Sequence, residues 1–112
     1  MKKTNVIKKY SEYQEIIKLK NYKRTKNYTI YLRKTNESLT RVGLLVGKKN
    51  GNAVARNRIK RQVRMITDSV LTYTEHADII IAISKDYNPD EFLNNKNELV
   101  KLLTILKGEI NG

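Results

Sequence analysis

The chain has 112 residues, enough for one domain with a modest core, and its 23 lysines and arginines against 11 acids give a net charge of +12. This charge indicates a polyanionic partner, either nucleic acid or an anionic membrane surface, and binding that weakens as salt rises. The absence of cysteine excludes a disulfide framework and cysteine-based metal sites, and no apolar run is long enough for a membrane span or a signal peptide, so we expect a cytoplasmic protein.

The first part of the chain predicts a short helix. Residues 1–5 are polar and basic, and we expect them to be disordered. Ser11 and Gln14 form a capping-box pattern, so a helix should begin at Ser11. Its apolar side would carry Tyr13, Ile16 and Ile17. The basic connector over residues 21–27 is expected to contain a short edge strand, because lysines protect such edges from unwanted pairing.

Alternation of apolar and polar residues predicts two strands, over residues 28–33 and 41–47. The core side of the first strand would carry Tyr28, Ile30 and Leu32. Its other side would carry Thr29, Tyr31 and Arg33. The core side of the second strand would carry Val42, Leu44 and Val46, and its other side Gly43, Leu45 and Gly47.

A strongly basic helix is predicted from Asn52 to Tyr73, with Asn52 as its cap. At about 100° per residue, one narrow arc of this helix is apolar. That arc contains Ala55, Ile59, Val63, Ile66 and Val70. The opposite, broader arc contains Arg56, Asn57, Lys60, Arg61 and Arg64. Like charges four residues apart repel each other, and within this helix no acid occurs before Asp68. We therefore interpret the basic arc as a phosphate-binding surface, to which Lys48, Lys49 and the free amides of the helix start add positive potential.

The last part of the chain predicts a buried strand and a helix. Residues 77–84 contain Ile79-Ile80-Ile81, a continuous apolar run that suits a central strand. The segment Asn88–Glu91 has the cap, proline and acids of a helix start. The helix that follows would bury Phe92, Leu99, Leu102, Leu103 and Leu106. Residues 94–97 should make its middle irregular.

This order predicts a single α+β domain over residues 1–112, a two-layer sandwich of about four strands and three helices in α-β-β-β-α-β-α order. Within it, the second long strand, the basic helix and the last strand form a βαβ unit. General rules favour a right-handed crossover for such a unit.

One ordered set of residues resembles the signature of the bacterial ribonuclease P protein subunit. It comprises Arg41-Val42-Gly43, Lys48-Lys49, Gly51-Asn52-Ala53-Val54, Arg56-Asn57-Arg58-Ile59-Lys60-Arg61 and Arg64. The resemblance extends from about Ile7 to Ile110. It implies a left-handed crossover, against the general rule, and a protein that assists a catalytic RNA in removing the 5′ leader of precursor tRNA.

The resemblance also implies partners and site residues. The protein would bind the ribonuclease P RNA subunit and precursor tRNA, with no membrane or small-molecule ligand. The RNA would carry the chemistry with Mg²⁺, and the protein would have no catalytic residue, metal or cofactor of its own. The RNA subunit would contact Lys48, Lys49, Asn52, Arg56, Asn57, Lys60, Arg61 and Arg64. The precursor tRNA leader would contact Tyr13, Ile17, Tyr31 and Arg33.

The leader cleft departs from the family pattern at three positions. Ile17 stands where a second aromatic residue is usual, and Leu45 and Gly47 stand where small hydroxyl residues are usual. Tyrosine rings that stack on unpaired bases contribute roughly 1–3 kcal/mol each. We therefore expect leader contacts that are more apolar, or weaker, than in typical members.

The sequence is also compatible with other interpretations. The same charge and fold would suit a structural RNA-binding protein of the ribosomal type, without an enzymatic assembly. A basic helix lying on a membrane surface is disfavoured, because its apolar stripe is narrow and lacks Trp and Phe. Tyr13 and Tyr31 could be ordinary core residues, and Arg58 could brace the fold or touch RNA. His76 is expected to be a solvated loop residue.

Overall fold

The computed structural model describes residues 1–111, and Gly112 lies outside the described residues. The helices are α1 (Tyr10–Lys18), α2 (Ala53–Val70) and α3 (Phe92–Asn111). The strands are β1 (Tyr22–Arg24), β2 (Tyr28–Lys34), β3 (Arg41–Leu45) and β4 (Ala77–Ile83). Short 3₁₀ turns occupy Lys3–Asn5, Lys48–Asn50 and Pro89–Glu91. None of the helices in these 111 residues is long and apolar enough to cross a membrane.

The four strands form one mixed sheet in the order β1-β2-β4-β3. Strand β2 is antiparallel to both β1 and β4, while β3 runs parallel to β4. The α+β fold and the βαβ unit β3-α2-β4 are thereby confirmed. The handedness of this crossover stays a prediction from the resemblance.

Helices cover the sheet unequally on its two faces. Strand β4 is central, and its isoleucines are buried towards both faces, as the continuous apolar run predicted. Helices α2 and α3 pack on one face, where the main core contains Tyr28, Ile30, Leu32, Ile59, Val63, Ile79, Ile81, Leu99 and Leu103. On the other face, α1 contributes Ile16 to a smaller cluster with Ile7 and Ile80. Helix α1 therefore covers only part of this second face, and the rest is open.

Two expectations about helix ends were wrong. Helix α1 begins at Tyr10 with Lys9 as its N-cap, and that cap makes no side-chain hydrogen bond. Ser11 already lies inside the first turn, so the capping box does not form. Helix α2 ends at Val70 and not at Tyr73, because the next turn is closed by the buried carboxylate of Glu75, which accepts the Thr72 amide at 2.7 Å.

The predicted irregularity in the last helix was also wrong, since α3 is continuous through residues 94–97. Asn95 is buried, and its side chain donates to the Asn88 carbonyl at 2.7 Å. Its own carbonyl accepts the Tyr28 hydroxyl at 2.8 Å. A polar residue that weakens an isolated helix is here satisfied by tertiary partners.

The amino-terminal residues differ from the expected disorder. Lys3–Asn5 forms a 3₁₀ turn in which Asn5 is buried. The Asn5 side chain donates to the Thr40 carbonyl at 2.8 Å and accepts the Lys2 amide at 3.1 Å. One asparagine therefore ties a polar segment to the start of β3, which composition does not reveal.

Candidate nucleic-acid interface

The basic side of α2 faces away from the core. Ile59, Val63 and Ile66 are buried beneath the helix. On its other side, Asn57, Arg61 and Arg64 are exposed, and Arg56 and Lys60 are half-buried. Within residues 1–111, none of the four cationic side chains in this set has a carboxylate partner. Their charge is therefore available to phosphate, and arginine forks bind phosphate oxygens bidentately.

A cationic 3₁₀ turn precedes α2 and presents Lys48 and Lys49 to solvent. The Asn50 side chain accepts the Gly47 amide at 3.2 Å and donates to the Ser84 carbonyl at 2.8 Å, which ties the turn to the end of β4. Gly51 has φ +111°, a conformation that favours glycine. The predicted cap is confirmed, because Asn52 Oδ1 accepts the Ala55 amide at 2.9 Å.

Arg58 lies on the flank of the helix and contacts protein. Its guanidinium pairs with Asp90 at 3.0 Å. Beside it, Gln62 donates to the Pro89 carbonyl at 3.0 Å. An exposed ion pair of this kind contributes about 0–1 kcal/mol. Arg58 therefore joins α2 to the turn before α3.

On the second face of the sheet, residues that pair across the strands form rows that cross the sheet. In the middle row, Tyr22, Tyr31, Ile80 and Gly43 are successive neighbours across the four strands. Helix α1 covers the Ile80–Gly43 end of this row. The Tyr13 ring lies against Gly43, and its hydroxyl donates to the Ile7 carbonyl at 3.0 Å. Tyr13, Ile17 and Tyr31 all pack at the edge of the small cluster beneath α1.

The next row is an ion-pair network that fastens α1 to the sheet. Asp78, whose side chain is 3% exposed, accepts Arg33 Nη2 at 2.7 Å and Arg41 Nε at 2.9 Å. From α1, Glu12 binds Arg41 at 2.6 Å and Glu15 binds Arg33 at 3.3 Å. Burial alone would raise the pKa of Asp78, but the hydrogen bonds from Arg41 and Arg33 outweigh it and hold this pKa below its usual value.

The third row is left open by α1. It contains Arg24, Thr29, Ala82 and Leu45, which are again neighbours across the sheet. Arg24 and Leu45 are exposed, and Thr29 and Ala82 are half-buried. At one end of this row, β3 leads directly into the cationic turn at Lys48. The open row therefore connects the cationic turn to the β1 edge.

Two exposed residues on β1 were missed by the sequence analysis. Tyr22 packs on Tyr31 with ring centroids 5.6 Å apart and a tilt of 51°. The Arg24 guanidinium carbon lies 5.6 Å from the centroid of the Tyr22 ring. Alternation along the expected edge strand would have placed both residues on one common face, but three residues are too few for the pattern to stand out, and the register that sets them beside Tyr31 is visible only in the structure.

The predicted leader-contact residues thus fall into two groups. Tyr13, Ile17 and Tyr31 lie together under and beside α1, whereas Arg33 belongs to the ion-pair row. The predicted RNA-subunit residues lie on α2 and the turn before it. Across residues 1–111, no group of three or more acidic, histidine or cysteine side chains is close enough to hold a metal ion.

Sequence comparisons place this geometry in a known context. A family profile described as Ribonuclease P matches residues 1–107. The ribonuclease P protein component of Mesoplasma florum is 42% identical over 105 residues, covering 92% of this chain and 96% of the relative. That of Mycoplasma capricolum is 43% identical over 112 residues, covering 96% of this chain and all of the relative.

Solved structures agree in fold. A mutant RNase P protein of Staphylococcus aureus superposes with a TM-score of 0.79 at 32% identity, covering 94% of this chain and 90% of that one. The RNase P protein of Thermotoga maritima superposes with a TM-score of 0.73 at 25% identity, covering 87% and 93%.

Proposed function

The chain belongs to the ribonuclease P protein family, and we propose that it binds the ribonuclease P RNA subunit and the 5′ leader of precursor tRNA, assisting endonucleolytic removal of that leader. The observation that carries this proposal is the basic side of α2, which has no carboxylate partner in the described chain. A helix that leaves this much like charge together needs a polyanion opposite it.

The basic side of α2 is the proposed contact for the RNA subunit. Its arginines and lysines neutralise backbone phosphates, and each neutralised phosphate releases a counterion. Asn57 and Asn52 contribute amide donors for phosphate or sugar oxygens. Lys48 and Lys49 extend the same surface around the positive end of the helix.

The proposed leader contact is the face of the sheet beside α1. Tyr31 offers a half-buried ring, and Ile17 lies in the same small cluster. The Tyr13 hydroxyl is engaged by the Ile7 carbonyl, so Tyr13 contributes ring surface only. Arg33 is held by Asp78 on one side, while its Nη1 contacts Glu15, whose side chain is 66% exposed. A leader phosphate could replace Glu15 at this nitrogen without disturbing Asp78.

The proposed division of labour leaves the chemistry to the RNA subunit. Mg²⁺ would be bound by that RNA, and the protein would supply positive charge and a surface for the leader. Hydrolysis of the phosphodiester then depends on the protein through the position of the substrate and the screening of repulsion between two RNAs. The ribosomal-type alternative is disfavoured, because the family match extends over residues 1–107.

Substrate discrimination tests this proposal. Holoenzyme is assembled from the protein and a bacterial ribonuclease P RNA, and the Kd is measured for precursor tRNA and for mature tRNA lacking the leader. We expect the protein to tighten binding of the precursor more than that of the mature tRNA. Equal tightening of both, with the RNA subunit still bound, would favour a purely structural RNA-binding protein.

A further inference from the structure

We propose that β1 provides an additional subsite for one nucleotide of single-stranded RNA, with the base stacked on Tyr22 and a phosphate bound by Arg24. This subsite lies outside the cleft under α1 that Tyr13, Ile17 and Tyr31 form. The inference rests on the proposed function, since the single strand in question is the precursor tRNA leader.

The Tyr22 ring is exposed yet held in place. It is 48% exposed, so nearly half of its surface is free to meet a base. Tyr31 supports one side of the ring, with the centroids 5.6 Å apart. Stacking on a preorganised ring loses little side-chain entropy and tolerates any base, because every base has a π face.

Arg24 differs from the other arginines on this face of the sheet. Arg33 and Arg41 are both bound to the buried carboxylate of Asp78 and to a glutamate of α1. Arg24 has no carboxylate partner in residues 1–111, and its Nε donates to Thr29 at 3.2 Å. That hydrogen bond aims the guanidinium while leaving its terminal nitrogens for an anion.

A path leads from the cationic turn to this subsite. The open row crosses β3, β4, β2 and β1 at Leu45, Ala82, Thr29 and Arg24. Three strand spacings give it a span of about 14 Å. Ala82 and Thr29 have small side chains, so the middle of the row does not rise above its ends. A single-stranded RNA that crosses the sheet from the cationic turn along this row would reach Arg24 and Tyr22 last.

The charge of this edge favours RNA over another protein strand. Strand β1 has three residues, Tyr22, Lys23 and Arg24. Cationic side chains on so short an edge discourage pairing with a further strand. Within residues 1–111 Arg24 has no carboxylate partner, so its charge attracts phosphate, whereas Lys23 is paired with Glu109 at 2.7 Å.

The test uses holoenzyme assembled with a bacterial ribonuclease P RNA and a series of precursor tRNAs whose leaders are shortened one nucleotide at a time. Tyr22→Ala and Arg24→Gln are compared with parent protein, and Tyr10→Ala is the matched control, since Tyr10 is an exposed tyrosine outside the row. We expect Tyr22→Ala to weaken binding of long leaders about tenfold, with parent affinity for leaders too short to reach β1. Tyr22→Phe should behave as parent, because stacking needs the ring and not the hydroxyl.

The fluorescence of a base analogue in the leader provides a second readout, which can be measured with the parent protein. A fluorescent base analogue placed at successive leader positions should be quenched by stacking at the position whose base lies on Tyr22. Tyr22→Ala should restore its fluorescence. Parent affinity of Tyr22→Ala for every leader, or an equal loss for leaderless tRNA, would overturn the subsite. If the parent protein itself fails to favour leader-bearing substrate, the proposed function fails instead.

Discussion

The ring of Tyr13 lies so close to Gly43 that a Cβ atom at Gly43 would fall 2.6 Å from the tyrosine hydroxyl oxygen. Residue 43 must therefore be glycine for the Tyr13 ring to keep this position between α1 and the sheet. The contact lies on the face that we assign to the leader.

Gly43→Ala should displace Tyr13 or lift α1 from the sheet. Overpacking of this kind costs typically about 1–3 kcal/mol. We expect a corresponding fall in the free energy of unfolding, measured with urea, and weaker binding of leader-bearing substrate. Gly47→Ala is the control, because a Cβ there meets no atom within 4 Å. Equal stability of parent and Gly43→Ala would show that Tyr13 does not need this contact.

Removing a cation from the basic side of α2 should reduce the salt dependence of RNA-subunit binding. Lys60→Ala and Arg64→Ala should each lower the slope of log affinity against log salt by about one unit. The slope is measured by titrating RNA subunit at several salt concentrations. Lys101→Ala, on the exposed side of α3, removes the same charge elsewhere and should leave the slope unchanged. An unaltered slope in the α2 variants would mean that these residues touch no phosphate.

Tyr31→Ala should weaken binding of the leader without weakening binding of the RNA subunit. Loss of one stacked base costs roughly 1–3 kcal/mol of leader-dependent binding. RNA-subunit binding should stay at the parent value, because Tyr31 lies on the sheet and not on α2. Kd values for substrates with and without a leader, measured on the same holoenzyme, give the difference directly. If this variant prefers leader-bearing substrate as strongly as the parent does, Tyr31 is not part of the leader site.

Asp78→Asn should destabilise the protein in a pH-dependent manner. Each hydrogen bond to a charged group is worth about 1.5–3 kcal/mol, and Asp78 accepts such bonds from both Arg33 and Arg41. Since the pKa of Asp78 is lowered in the folded protein, its contribution is fully present at neutral pH. It is lost as the pH falls below about 3.9, the ordinary aspartate pKa, towards the folded value.

Urea unfolding of parent and Asp78→Asn over a range of pH checks this. The stability difference should be largest at neutral pH and should shrink in acid. Glu15→Gln is the control, because that carboxylate is mostly exposed and should contribute little at any pH. A difference that stays constant down to acid pH would mean that the charge of Asp78 does not stabilise the fold.

Much of the fold was predictable because charge and periodicity agree. The stripe of Ile59, Val63 and Ile66 determined which side of α2 faces the core. The run Ile79–Ile81 indicated a strand buried on both faces, and β4 is central in the sheet. These signals are local, so a single sequence carries them.

The features that were missed depend on residues far apart in the chain. Asn95 is tolerated inside α3 because Asn88 accepts its amide. Asn5 is ordered because Thr40 accepts its side chain. Arg33, expected at the leader, is also held by Asp78, a partner 45 positions away. Tyr22 and Arg24 were overlooked because a three-residue strand has too little alternation to assign its faces.

Cleavage of precursor tRNA tests most directly whether this protein serves ribonuclease P. A bacterial ribonuclease P RNA is incubated with precursor tRNA at low Mg²⁺, with and without the protein, and the protein is also assayed alone. We expect the protein to stimulate cleavage to mature 5′ ends, and we expect no cleavage by protein alone. Tight binding to the RNA without any stimulation would contradict the account and indicate a structural RNA-binding protein.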